Sequence, residues 1–401
     1  MTDFQKTKSK FNLPNGVIYL DGNSLGPLPK KAPKRVKRMM KDEWGEMLIT
    51  GWNKAGWMGM PTNVGDRIAR LIGAEDGHVV MGDTLSIKVY QALAAALEMT
   101  PDRKVILSDT GNFPSDLYMA QGITEMVNRL GDGGYTLKTV APEDVMDALD
   151  DTVAVMMITE IDYRTGRKHD MKALINRAHE VGALTIWDLA HSAGAIEVDL
   201  KGSNADFAVG CTYKYLNSGP GGPAFIYVAP KHADRARPAL SGWLGHEAPF
   251  EFDLNYRPHA GIERMRVGTP PIIQLASLEA SMDIWDQVDM KDVRQKSIAL
   301  CELFIKEVEA ACPDLTLASP RDAKNRGSQV SFAFEHGYAA MQAIIDRGVI
   351  GDFRAPNIMR FGFTPLYIDE FDVSNAVTII KEVMDGKLWD DPKYQTKSRV
   401  T

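Results

Sequence analysis

The sequence predicts an α/β protein: a large domain with a mostly parallel sheet covered by helices, then a smaller α+β C-terminal domain. Three observations carry this. The length of 401 residues exceeds a usual single domain. From about Val79 to Val228, short apolar runs alternate with helix-like segments, the pattern of strands covered on both faces. Beyond "RVGTPPIIQL" the alternation stops, and a long helical stretch leads into a mixed tail. We place an N-terminal segment and the large domain in residues 1–280, and the small domain in 281–401.

The elements follow in order. "VIYLDGNSLGPLP" is a short strand running into a Gly/Pro-rich loop. "KKAPKRVKRMMKDEW" reads as a solvated basic helix face. "HVVMG" precedes the helix-like "SIKVYQALAAALEM", "KVILSD" precedes "SDLYMAQGITEMVNRL", and "TVAVMMITEI" precedes "DMKALINRAHEVG". "ALTIWD" opens onto "LAHSAGAI", and "ADFAVG" onto "CTYKYLNSGPGG" and the apolar "PAFIYV". After "RVGTPPIIQL" one long helical stretch is expected to run to about Ala311, followed by "SQVSFAF", "GYAAMQAIIDRG" and "IMRFGFTPLY".

Hydrophobic content of 44% and charged content of 25% are those of a soluble globular protein with a sizeable core. The net charge of −7 argues against a nucleic-acid partner. Cys211, Cys301 and Cys312 form no CxxC pair and read as reduced thiols of a cytoplasmic protein. The polar "MTDFQKTKSKFNLPNG" has no signal-peptide core, and no apolar run is long enough to span a bilayer. A soluble, cytosolic chain with no membrane partner is therefore expected.

Ligands of such sheets gather at the carboxyl ends of the strands, and chemically capable residues stand there in sequence. Thr84, Leu85 and Ser86 open a helix; read alone they are an N-cap, yet a helix start also offers free N–H groups to a phosphate. Phe113 is either a turn aromatic or a flat face for a planar ring. Asp188 ends "TIWD" as a helix cap or as the partner of a buried cation. His191 alone reads as a structural histidine. Lys214, one strand further on, sits where a desolvated lysine loses its proton and attacks a carbonyl. A lysine for an aldehyde, an acid for a ring nitrogen, a phosphate cradle and a ring support together suggest pyridoxal phosphate (PLP).

"YLDGNSLGPLP", "NFPSD", "IWDLAHSAGA", "GCTYKYLNSGPGGPAF", "SGWLGHE", "GTPPI" and "IMRFGFTPLY" together resemble the kynureninase family, enzymes of the PLP-dependent transferase-like fold (fold type I), class V aminotransferase-like. The resemblance runs from about Leu20 to Phe371. It implies hydrolysis of L-kynurenine, and of 3-hydroxykynurenine, to anthranilate (or its hydroxy form) and L-alanine by Cβ–Cγ cleavage in tryptophan catabolism. By the same resemblance Lys214 is the Schiff-base lysine, Asp188 faces the pyridine nitrogen, and Tyr213 is a general acid/base. Phe113 stacks on the ring, with Pro114, Ser115 and Asp116 beside it. Leu85, Ser86 and Tyr213 lie at the phosphate end, and Thr159 and His191 complete the pocket. Trp243 and Thr269 match cofactor contacts that cross a homodimer interface, and Arg360 matches the arginine that holds the substrate α-carboxylate. No metal is implied.

Rivals within the fold are an aminotransferase and a cysteine desulfurase, the latter needing a reactive cysteine late in the chain, where none follows Cys312. A ligand-sensing transcription factor would carry a DNA-binding module ahead of the fold, where only about twenty residues stand. A nucleotide-binding protein would show GxGxxG or GxxxxGK[ST], and neither occurs. Trp52 and Trp57 either line an aryl pocket or pack in the core.

Overall fold

The computed structural model describes residues 1–131 and 133–396. Among these, seven strands form the central sheet: β1 (Val79–Met81), β2 (Val105–Asp109), β3 (Thr136–Val140), β4 (Val153–Thr159), β5 (Leu184–Asp188), β6 (Phe207–Gly210) and β7 (Phe225–Val228). Their spatial order is β1-β7-β6-β5-β4-β2-β3. The run from β6 to β3 is parallel, while β7 lies antiparallel to both β1 and β6. A parallel return needs a crossover, usually a helix. The loop over 211–224 contains none, so β7 comes back antiparallel.

β4 reads VAVMMIT and is buried at every position, as a strand covered on both faces must be. Its residues alternate between two cores: Met156 and Ile158 join one apolar cluster, Val155 and Met157 the other. The second cluster takes Val89, Leu93 and Leu97 of a helix over Leu85–Met99, and Ala120 and Ile123 of one over Pro114–Leu130. The first takes Ile68 of α1 (Met60–Leu71) and Leu174 and Ile175 of the helix over Met171–Glu180. These later helices are α2, α3 and α4 in chain order. β3 was not expected from the sequence. It is an edge strand reading TLKTV, half exposed and polar, so it carries no apolar run to find.

The long helical stretch expected to Ala311 is instead two helices, α5 (Ile272–Trp285) and α6 (Met290–Ala311). Arg70 donates to the Trp285 and Val288 carbonyls at the end of α5. Asp289 then caps α6 by accepting from the Lys291 N–H at 2.8 Å. α6 leads to a second, antiparallel sheet of β8 (Thr316–Leu317), β9 (Gln329–Ala333), β10 (Asp352–Arg354) and β11 (Ile358–Gly362), in the order β8-β9-β11-β10. α7 (Gly337–Ile345) and α8 (Glu370–Asp385) accompany it.

The N-terminal segment reaches across to this second sheet's neighbourhood. Ile18–Tyr19 pairs in parallel with Val349–Ile350, and the Gly362 N–H donates to the Leu20 carbonyl at 2.7 Å. That pairing carries the 21–26 loop to the end of β11. Among the described residues no helix is long and apolar enough to cross a membrane.

Candidate active site

Lys214 stands in the loop that follows β6. The loop is closed by its own polar groups: Thr212 Oγ1 donates to the Pro223 carbonyl at 2.6 Å, and the Asn217 N–H donates to the Lys214 carbonyl at 3.0 Å. Ser277 and Ser281 of α5 donate to the Ser218 and Leu216 carbonyls, and the Gly26 N–H donates to that of Tyr213. A loop so tied holds its side chains in place. Lys214 is half-buried, with Nζ 2.9 Å from His191 Nε2, 5.9 Å from the centre of the Phe113 ring and 5.8 Å from that of Tyr213.

Burial, then the Lys214 charge, holds the His191 imidazole well below its ordinary range, so the ring is neutral. The hydrogen bond between Lys214 Nζ and His191 Nε2 runs in the direction set by the imidazole tautomer.

Asp188 ends β5, buried, with one oxygen accepting from the Ala190 N–H at 2.8 Å and the other from Thr159 Oγ1 at 3.0 Å. Asp116, in the first turn of α3, lies against it. Burial raises the Asp188 carboxyl above its ordinary range, with Lys214 opposing. Burial, then Asp188, pushes Asp116 well up, and one Asp116 oxygen is without a partner. Two buried acids thus lie near the Lys214 amine.

These features fit PLP. The acid pair suits a protonated ring nitrogen. The Phe113 ring is 42% exposed, touching Tyr163 only edge-on at 5.2 Å, and so has a face free for stacking. Ser86 Oγ and Ser115 Oγ meet at 2.7 Å, near the starts of α2 and α3. The N-cap residues there, Thr84 and Phe113, make no side-chain capping bond, which leaves the N–H groups of Leu85, Ser86 and Ser115 at first-turn positions suited to an anion, while the Asp116 N–H donates to the Phe113 carbonyl at 3.0 Å. Pro114 fills the first helical position of α3, where no N–H is needed.

Arg360, on β11, is 1% exposed. Its Nε donates to Asp352 Oδ1 at 2.7 Å, Nη2 to Ser24 Oγ at 2.7 Å and to Asp352 Oδ2, and Nη1 to the Tyr163 carbonyl. Trp243 and Thr269 are not brought to Lys214 within the chain. Trp243 opens a short turn, half exposed, with its ring edge-on to Phe250 at 5.8 Å; Thr269 is exposed in the loop before α5. Trp57 is a core residue whose Nε1 donates to Glu43 Oε2 at 3.0 Å, and Trp52 packs edge-on to it. Ser24, Tyr163, Arg354 and Asp352 were not singled out from the sequence as site residues. "LDGNSLG" was the available signal for Ser24; nothing local marks the others.

The architecture is matched by solved structures. A cysteine desulfurase from Thermococcus onnurineus NA1 superposes with a TM-score of 0.80 over 95% of this chain and 98% of its own, at 19% identity. A C-DES mutant with glycine covalently linked to its PLP cofactor gives 0.79 over 94% and 99%, at 16% identity. The fold is therefore the fold-type I, PLP-dependent transferase-like one. Closer relatives narrow it. A kynureninase of Pseudomonas fluorescens is 50% identical over 98% of this chain and 95% of its own, and one of Burkholderia pseudomallei is 49% identical over the same shares. The kynureninase C-terminal domain model matches residues 293–380. The chain belongs to the kynureninase family.

Proposed function

We propose that this chain hydrolyses L-kynurenine, and its 3-hydroxy form, to anthranilate or 3-hydroxyanthranilate and L-alanine, with PLP as cofactor. The observation that carries the reading is the amine of Lys214 held at the strand ends beside a neutral His191 and facing the Asp188–Asp116 pair. When bound, PLP supplies an aldehyde for the substrate amine and a ring that draws off electrons. Asp188 keeps a proton on the ring nitrogen, and Phe113 holds the ring flat. Lys214 Nζ removes the α-proton and returns it, while His191 Nε2 gives that amine a fixed direction without competing for the proton. The Tyr213 hydroxyl, raised by Cys211 and by burial, stays protonated and serves as a donor near the bond that breaks. Water enters across Cβ–Cγ, its hydroxyl going to anthranilate and its proton to alanine. Arg360 holds the α-carboxylate.

Trp243 and Thr269 would serve the site of a second copy of the chain. Exposed Phe250, Phe252 and Leu254 beside Trp243 make an apolar face suited to such a homodimer. The three cysteines are buried and free, which suits the cytoplasm. The same burial argues against a desulfurase: it pushes the Cys211, Cys301 and Cys312 thiols up, away from a reactive thiolate.

The test is release of anthranilate from L-kynurenine by the PLP-reconstituted protein, followed by fluorescence, with L-alanine produced in equal amount. Absence of anthranilate, or a transaminated product dependent on an α-keto acid, would overturn the reading.

A further inference from the structure

We propose that Arg354 is a second arginine of the α-carboxylate site, completing a hold that Arg360 alone leaves unfinished; this rests on the proposed function. A guanidinium binds a carboxylate best through two parallel N–H bonds. Arg360 has spent its Nε–H, both Nη2–H bonds and one Nη1–H on Asp352, Ser24 and the Tyr163 carbonyl. A single Nη1–H is left to it.

Arg354 lies on the adjacent strand β10, in the same corner. Its Nη2 is 2.6 Å from Asp352 Oδ2 and 3.2 Å from Ser24 Oγ, so both guanidiniums share the same two acceptors. Nη1 donates to the Phe353 carbonyl at 3.2 Å, which leaves the Nε–H and one Nη1–H unspent. The two arginines differ in access: Arg354 keeps about a third of its side chain exposed (32%), whereas Arg360 is sealed. Arg354 therefore offers the donors that Arg360 lacks, and offers them to something arriving from outside.

The charges point the same way. Burial works against the Asp352 carboxylate, but Arg360 and Arg354 outweigh it and hold the group below its ordinary range. Asp21, the other acid nearby, is pushed up to about 8 by burial and by Asp352, which weakens it as a counter-charge. Two buried or half-buried cations thus share one anion, an unbalanced arrangement that is unfavourable until an anion joins it. The corner also faces the Lys214 pocket. Tyr163 takes Arg360 at its carbonyl and packs its ring edge-on to Phe113, and both guanidiniums help hold the His191 imidazole below its ordinary range.

The experiment compares reconstituted wild type, Arg354→Gln and Arg354→Lys by titration of cofactor absorbance with L-alanine and with L-alaninamide. In Arg354→Gln the apparent dissociation constant for L-alanine should rise about 10- to 100-fold, while that for the amide moves less than about 2-fold. Arg354→Lys, which keeps the charge and loses the fork, should fall between. The KM for L-kynurenine should follow L-alanine. An unchanged L-alanine constant in Arg354→Gln, or equal weakening of acid and amide, overturns the inference. If Arg354→Gln fails to fold by circular dichroism, Arg354→Lys decides, and equal acid and amide effects there overturn it as well. A wild type that neither responds to L-alanine nor cleaves kynurenine instead overturns the functional reading.

Discussion

Asp188 and Asp206 are both buried aspartates on neighbouring strands, one closing β5 at its carboxyl end, the other just ahead of β6 at its amino end. Their surroundings are opposite. Asp206 accepts from the Thr185 N–H and hydroxyl at 2.9 and 3.0 Å, and meets His179, His232 and Lys231 at 2.7, 2.9 and 2.8 Å. Although burial resists, His179, His232 and Lys231 hold its carboxyl below the ordinary range. Asp188 has one N–H, one hydroxyl and a second acid for company, and is raised. The lesson is that one end of the sheet finishes its electrostatics within the chain, and the other end leaves them open for a ligand.

Lys214→Ala removes the amine near the acid pair and should end turnover and the visible band of the bound cofactor; wild-type rates in that variant would remove the premise. Asp188→Asn should lower kcat by about 100-fold or more while leaving the urea midpoint level or higher, because a carboxyl resisted by burial is gone. Asp206→Asn should do the reverse, losing about 3 kcal/mol of stability with activity per folded molecule within about 2-fold. Equal effects of the two substitutions on the urea midpoint would dissolve the contrast.

Acidity sharpens it further. The stability given by Asp206, whose carboxyl is lowered on folding, is present above its unfolded value of 3.8 and disappears as pH falls through the lower folded value. Glu160, adjacent to the site and wholly buried, is pushed up to about 7 from 4.5 by burial. The folded state then holds a proton the unfolded state has released, so stability falls as pH climbs from 4.5 to 7. Glu160→Gln should match wild type at pH 4 and exceed it by about 1–3 kcal/mol at pH 8, read from urea midpoints. The smallest effect belongs to Arg129→Ala, which breaks the exposed pair with Glu125 at 3.3 Å and should leave the midpoint where it was.

The parts of this contrast were unevenly legible in the sequence. Lys214, Asp188 and Phe113 stood out because each follows an apolar strand, and a parallel sheet gathers its ligands there. Asp206 did not, since an acid ahead of "FAVG" is indistinguishable from a loop residue until His179 and His232 arrive from other elements. The apolar strands were plain, but β3 was hidden by its own polarity, and the break before α6 by helical patterning on both sides. Asp352 and Ser24 were illegible for a simpler reason: their contact spans 328 positions, and no local pattern encodes it. Trp243 and Thr269 came from resemblance alone.

The pairing of Ile18–Tyr19 with Val349–Ile350 bears on how the molecule is made. On the ribosome the first of these segments emerges early and waits, with its hydrophobic neighbours uncovered, until nearly all the rest has been translated. The corner around Arg360 is therefore completed late, after the central sheet has had time to collapse. Stalled nascent chains ending before Val349 should be clipped by protease ahead of Leu20, where completed chains resist.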